Sequence, residues 1–138
     1  MCYLFYLHRP SGSGKTTLMS LLTDTLPSGV TAVADVSTNL PGDMAMVPQE
    51  DRLHGFFTCR SYLQHYARLT GIPTDEANRR IEDLLQKLGL VEQADKGTIV
   101  GDLFIKGLSG GQKRRLSVAL EALSNPEHFF LDEPTSGL

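Results

Sequence analysis

The sequence feature that most constrains the fold is a short stretch rich in glycine and hydroxyl residues near the start of the chain, residues 11–17 (SGSGKTT). Glycines let backbone N–H groups converge on an anion, a lysine reaches the outer phosphates, and a hydroxyl group binds a magnesium ion. The pattern therefore predicts a phosphate-binding loop that leads into a helix. The residues assigned to phosphate binding are Ser11, Gly12, Ser13, Gly14, Lys15, Thr16 and Thr17.

The predicted loop departs from the full pattern at its beginning. The pattern places a glycine at position 9, and this sequence has Arg9 there. A side chain at this point obstructs a tight turn. The sequence thus predicts a sound second half of the loop and a compromised first half.

Size and composition are typical of one globular domain or part of one. The chain has 138 residues, which is close to the commonest domain size. Its net charge of -3 provides no broad basic surface, so no nucleic-acid partner is expected. Its two cysteines, Cys2 and Cys59, favour a reducing compartment. No apolar run approaches the roughly 20 residues that cross a bilayer, so other sequence is expected to supply any membrane attachment.

Apolar periodicity predicts an α/β order with a mostly helical middle. In the third predicted helix Thr74 is the expected N-cap. The last predicted strand reads as a central parallel strand because it is continuously apolar. The predicted strands cover residues 1–7, 30–36, 44–47 and 128–131, and the predicted helices cover residues 15–26, 58–69, 74–88 and 109–123.

Two acidic residues, Asp132 and Glu133, follow the last predicted strand. Neighbouring side chains leave a strand on opposite sides, which suits two different roles. Asp132 is predicted to bind magnesium, and Glu133 to orient and deprotonate an attacking water. Gln49, after another strand, can reach the metal or the water. The alternatives are a turn that merely ends a strand and a solvated loop glutamine. The predicted metal ligands are Thr16, Gln49 and Asp132, and the predicted catalytic residues are Glu133 and Gln49.

A basic cluster, Lys113, Arg114 and Arg115, follows two glycines at the start of the last predicted helix. Cations in a first helical turn are disfavoured by the helix dipole by about 0.3–1 kcal/mol each. The accessible N–H groups of such a turn attract an anion such as a nucleotide phosphate. The alternative interpretation is a solvated basic patch on an exposed turn.

Taken together, these motifs resemble those of ABC-type ATPases. Residues 108–112 (LSGGQ) resemble the signature motif, and residues 129–138 (FFLDEPTSGL) resemble the Walker B region. Residues 11–17 are similar to the second half of a Walker A loop, and residues 47–51 (VPQED) to a Q-loop. The segment 100–120 most resembles the G (white-type) subfamily of eukaryotic half-transporters.

The resemblance implies a fold and a function. The expected fold is α/β, a P-loop NTPase (RecA-like) core with a helical ABC subdomain inserted and both ends incomplete. Within this partial domain, residues 1–51 and 125–138 would form the core, and residues 52–124 approximately the helical subdomain. The implied cofactors are ATP and Mg²⁺. The implied activity is ATP hydrolysis that powers transmembrane transport, with this domain on the cytoplasmic side of the membrane.

The resemblance also implies partners. Two cassettes pair head to tail, and the signature motif of one closes over the γ-phosphate of ATP bound to the other. A transmembrane domain, absent from this chain, would couple to the helical subdomain. The signature residues that would bind nucleotide in this way are Ser109, Gly110, Gly111 and Gln112.

Several departures from the family pattern leave alternatives open. Besides Arg9, the preceding strands, the D-loop aspartate and the switch histidine are missing from the sequence. The expected product is a fragment of a nucleotide-binding domain, or a faulty gene model whose first ten residues do not belong. The alternative functions are a soluble ABC-type ATPase that acts on ribosomes or DNA, and a catalytically incomplete chain that only binds nucleotide or pairs with a complete cassette.

Overall fold

A computed structural model describes residues 3–6, 14–23, 42–49 and 53–131. The chain divides into two compact units, one of residues 1–49 with 126–136 and the other of residues 50–125 with 137–138. The strand predicted at 30–36 lies outside the described residues. The described elements are β1 (Tyr3–Tyr6), α1 (Lys15–Leu22), β2 (Met44–Val47), α2 (Cys59–Leu69), α3 (Thr74–Lys87), α4 (Val91–Asp95), α5 (Gly110–Ala122) and β3 (His128–Leu131).

The first unit contains a parallel sheet with the strand order β1-β3-β2. β3 lies between the other two strands, and its first three residues are buried. A strand that is buried along most of its length, as this one is, is typical of a parallel sheet that is covered on both faces. The predictions of a strand at 44–47 and of a central parallel strand at 128–131 are therefore confirmed.

The helix of the first unit is shorter than predicted. α1 ends at Leu22, whereas apolar periodicity extended it to residue 26. The backbone of Thr23 leaves the helical region, and its hydroxyl donates to the Met19 carbonyl at 2.9 Å. The same hydroxyl lies 3.7 Å from the sulfur of Met46 in β2. The end of α1 is thus bonded to the sheet, which is a tertiary contact that the helical pattern does not encode.

The described residues of the second unit form four helices, α2 to α5, around one apolar core. α4 was not predicted, because a helix of five residues is too short to show an apolar period. The side chains of this core that are almost completely buried are Cys59, Leu63, Ala67, Ile81, Leu85, Leu90, Val100, Leu116, Ala119 and Leu123.

The expected N-cap of α3 is wrong by one residue. Thr74 is the first residue of the helix, Pro73 occupies the N-cap position, and no side chain caps this end. The Pro73 carbonyl accepts the Ala77 N–H at 2.8 Å, which is the first helical bond. A proline ring fixes φ near the value that a helix requires, so it can begin the helix without a capping hydroxyl.

Candidate functional site

The three strands of the sheet end at the same level. Tyr6 in β1 and Val47 in β2 both pair with Leu131 in β3. Because the strands are parallel, their carboxyl ends lie along one edge of the sheet, where ligands bind in open α/β folds. Each end is followed in sequence by one predicted motif: the phosphate loop, Gln49, or the acidic pair.

The end of the predicted phosphate loop has the backbone of a glycine turn. Gly14 is the N-cap of α1 and has φ 79°, in the left-handed region that favours glycine. Its carbonyl accepts the Leu18 N–H at 3.0 Å and so begins the helix. Thr16 and Thr17, in the first turn, are exposed. Lys15 begins α1 as predicted, whereas Ser11, Gly12 and Ser13 lie outside the described residues.

The predicted metal and catalytic residues are described only in part. Gln49 is exposed two residues after the end of β2. Asp132 and Glu133 lie outside the described residues, and so does Arg9. Within the described ranges, no group of three or more His, Cys, Asp or Glu side chains is placed to hold a metal ion.

The predicted signature residues form a reciprocal helix cap at the start of α5. Ser109 is the N-cap, and its Oγ accepts the Gln112 N–H at 3.3 Å. The Oε1 of Gln112 in turn accepts the Ser109 N–H at 2.9 Å. This capping box was missed at the sequence level, although its signal, a serine three residues before a glutamine, is present in the sequence.

The cap leaves an exposed donor site at the beginning of α5. The first regular bond of the helix runs from the Lys113 N–H to the Ser109 carbonyl at 2.8 Å. Among the described residues, the N–H groups of Gly110 and Gly111 have no acceptor. N–H groups at a helix N-terminus attract anions. These two glycines and Ser109 therefore supply neutral hydrogen-bond donors at one point.

The expected position of the basic cluster is wrong. α5 begins at Gly110, so Arg114 and Arg115 lie beyond its first turn. The cluster is not a solvated patch either, since Arg114 is only 6% exposed. The Nζ of Lys113 donates to the Gly101 carbonyl at 3.0 Å. Contact with the preceding loop, which the sequence pattern does not show, thus takes the lysine away from the helix N-terminus.

Two glycines let the backbone of the loop before α5 pack closely against itself. A Cβ on Gly101 would lie 2.5 Å from the Ile105 carbonyl oxygen, and one on Gly107 would overlap the Val100 carbonyl oxygen. Between them, Oδ1 of Asp102 accepts the N–H groups of Phe104 and Ile105, each at 2.8 Å. These bonds lower the pKa of Asp102. The loop is therefore a preformed turn that leads directly into Ser109.

We expect Gly101→Ala to destabilise the chain by about 1–3 kcal/mol, because the new methyl group meets backbone atoms and the residue has φ 72°. The measurement is urea unfolding followed by circular dichroism. Gly97→Ala is the matched control, since Gly97 has φ 63° but no atom within 4 Å of the added Cβ. Equal losses of stability in the two variants would contradict the close packing of the loop.

The sheet is parallel, and its first strand precedes a helix that begins at a left-handed glycine. This is the architecture of P-loop nucleotide-binding domains. The model of the family described as "ABC transporter" matches residues 4–136. The chain belongs to this family.

Its relatives include transporters of the G family. The chain is 40% identical to ABC transporter G family member 13 of Arabidopsis thaliana, with 94% of this chain and 20% of the relative covered. It is 39% identical to ABC transporter G family member 22 of Dictyostelium discoideum, with 94% of this chain and 23% of the relative covered. It is also 37% identical to an uncharacterized ABC transporter ATP-binding protein/permease of Saccharomyces cerevisiae, with 93% of this chain and 12% of the relative covered. The resemblance to the G subfamily is thus confirmed.

The chain spans about a fifth of the length of the first of these relatives. Within the described ranges, none of the helices has the length and apolar character that would let it span a membrane.

Proposed function

We propose that this chain is the ATP-binding and ATP-hydrolysing part of a G-type ABC transporter. The observation that carries the proposal is the parallel register in which Tyr6 and Val47 both pair with Leu131. Through this register, the strands that precede the phosphate loop, Gln49 and the acidic pair end at one edge of the sheet. A phosphate, a metal ion and an attacking water can be bound together only where these groups meet.

The described residues fit a magnesium–phosphate group. Phosphate binding requires a glycine turn at a helix N-terminus, which Gly14 and α1 provide. Magnesium binding requires a hydroxyl group in the first turn, which the exposed residue Thr16 provides. In the proposal, residues 11–17 bind the phosphates, and Thr16, Gln49 and Asp132 hold Mg²⁺. When bound, magnesium neutralises charge on the phosphate oxygens.

Hydrolysis is assigned to Glu133 and Gln49. The Glu133 carboxylate accepts a proton from water as the water oxygen attacks the terminal phosphorus, and Gln49 orients that water. A new phosphorus–oxygen bond forms while the bond to the bridging oxygen of ADP breaks. In sequence, Asp132 and Glu133 directly follow Leu131, the last residue of β3.

The proposed partner is a second nucleotide-binding domain arranged head to tail. Ser109, Gly110, Gly111 and Gln112 would then complete the ATP site of the partner. The proposed division of the chain has a RecA-like core of residues 1–51 and 125–138 and a helical subdomain of about residues 52–124 that carries the signature motif. The four-helix organisation of the second unit supports this division.

The proposed role in transport concerns the longer protein. The helical subdomain would couple ATP-driven closure of the dimer to a transmembrane domain, with the nucleotide-binding domains on the cytoplasmic side. The similarity to relatives that are named as transporters supports this assignment.

We expect Arg9→Gly to raise the affinity of the chain for Mg-ATP about tenfold, because the sequence pattern of a phosphate loop places a glycine, without a side chain, at this position. Isothermal titration calorimetry measures this affinity. Arg79→Ala is the control for charge alone, since Arg79 is an exposed residue of α3. Failure of the Arg9→Gly chain to bind Mg-ATP would overturn the proposed function.

A further inference from the structure

The side chain of Gln112 is engaged within its own helix. Its Oε1 accepts the Ser109 N–H at 2.9 Å, and its backbone N–H donates to Ser109 Oγ at 3.3 Å. The proposed function counts Gln112 among the nucleotide-binding residues. In the structure, however, its side-chain oxygen accepts a hydrogen bond from Ser109.

The reciprocal cap determines which donors remain for an anion. The Ser109 oxygen accepts the Gln112 N–H, so the hydroxyl hydrogen of Ser109 is still able to donate. The N–H groups of Gly110 and Gly111 have no acceptor among the described residues. Donation to a phosphate therefore falls to Ser109 and the two glycines. Of these donors, Ser109 is the one that Gln112 bonds.

We propose that Gln112 is a positioning residue that orients Ser109 toward a phosphate of ATP on the partner domain and acts only through Ser109. The inference rests on the proposed function. Without an acceptor at residue 112, the Ser109 N–H must bond elsewhere, and the N-cap backbone loses a constraint. Donors that are held in place before binding give higher affinity than donors that must be ordered on binding.

A second capping box in the same chain provides a matched control. At the start of α2, the Thr58 N–H donates to Ser61 Oγ at 2.9 Å, and the Ser61 N–H donates to Thr58 Oγ1 at 3.3 Å. Ser61→Ala removes the acceptor of the Thr58 N–H, together with the bonds of Ser61 Oγ to the Thr58 hydroxyl and carbonyl. Gln112→Ala likewise removes the acceptor of the Ser109 N–H at α5. The two variants share the loss of a helix cap and differ in their relation to Ser109.

The test is a double-mutant cycle on self-association driven by Mg-ATP, measured by analytical ultracentrifugation in a Glu133→Gln background that slows hydrolysis. We expect Ser109→Ala and Gln112→Ala each to raise the dimer Kd at least about tenfold. Adding Gln112→Ala to Ser109→Ala should raise it no further. Ser61→Ala should lower the Tm as Gln112→Ala does and leave the dimer Kd unchanged.

If the effects of Ser109→Ala and Gln112→Ala on the dimer Kd multiply in the double variant, the inference is overturned, because Gln112 then acts independently of Ser109. A rise in dimer Kd with Ser61→Ala would also overturn it, since loss of any helix cap would then suffice. If the unsubstituted chain binds Mg-ATP in a filter assay but forms no dimer, the inference is overturned and the proposed ATP binding stands. Absence of Mg-ATP binding itself overturns the proposed function.

Hydrogen exchange at the Ser109 amide tests the cap without nucleotide. We expect Gln112→Ala to accelerate this exchange at least about tenfold and Gln112→Glu to preserve the slow rate, because a glutamate oxygen can accept the same bond. Equal exchange in Gln112→Ala and the unsubstituted chain would contradict the role of Gln112 in holding Ser109.

Discussion

Replacing Glu133 by glutamine is expected to lower the rate of ATP hydrolysis by about 10²–10⁴-fold and to leave Mg-ATP binding intact. Glutamine retains the size of the side chain and can still form hydrogen bonds, but it cannot accept a proton from the attacking water. Single-turnover hydrolysis of radiolabelled ATP measures the chemical step, and calorimetry measures binding.

Glu127→Gln is the matched control for this experiment. Glu127 immediately precedes β3 and is exposed, whereas Glu133 follows the carboxyl end of the same strand. The control substitution removes the same charge at the other end of the strand, so hydrolysis should be unchanged. A comparable loss of hydrolysis in both variants would contradict the assignment of Glu133 as the general base.

Replacing Lys15 by alanine is expected to weaken Mg-ATP binding about 100-fold, because the proposed charge-assisted hydrogen bonds from this lysine to the outer phosphates would be lost. Lys15 is the first residue of α1 and follows the left-handed Gly14, at the helix end where the dipole also favours an anion. Equilibrium titration with a fluorescent ATP analogue measures the change.

Lys96→Ala separates the contact from the effect of net charge. Lys96 is exposed, and its Nζ forms an ion pair with Glu92 Oε1 at 2.6 Å in the helical unit. Its removal should alter the Kd for nucleotide less than twofold, as expected of a solvated surface charge at physiological salt. Equal weakening by Lys15→Ala and Lys96→Ala would indicate a general electrostatic effect and exclude a phosphate contact at Lys15.

Local patterns predicted the strands of the sheet well. The apolar runs at 44–47 and 128–131 lie between turn residues and became β2 and β3 with the same bounds. A short buried strand requires only such a run, so its position is encoded locally. The common level of the strand ends was also foreseeable in kind, because parallel strands carry their carboxyl ends along one edge of a sheet. The roles of the residues that follow these ends stay predictions.

Features that depend on tertiary contacts were not foreseeable from the same patterns. The contact between the Thr23 hydroxyl and the Met46 sulfur joins α1 to a strand 23 residues further along the sequence. The Lys113 ammonium donates to the Gly101 carbonyl in the loop before α5. Apolar periodicity carries no information about either partner. The start of α3 was misplaced for a different reason: a proline and a threonine at neighbouring positions can each begin a helix.

The strand order β1-β3-β2 has a consequence for how the chain folds. β3, which lies between the other two strands, is the last of the described elements in sequence, and its register pairs His128 with Tyr3 and with Met44. During synthesis from the N-terminus, β1 and β2 have no strand between them until β3 emerges. The pairing of β1 and β2 with β3 must therefore close long loops, which slows folding. The helices of residues 50–125, in contrast, are neighbours in sequence. We expect the helical unit to form first and the sheet to form last.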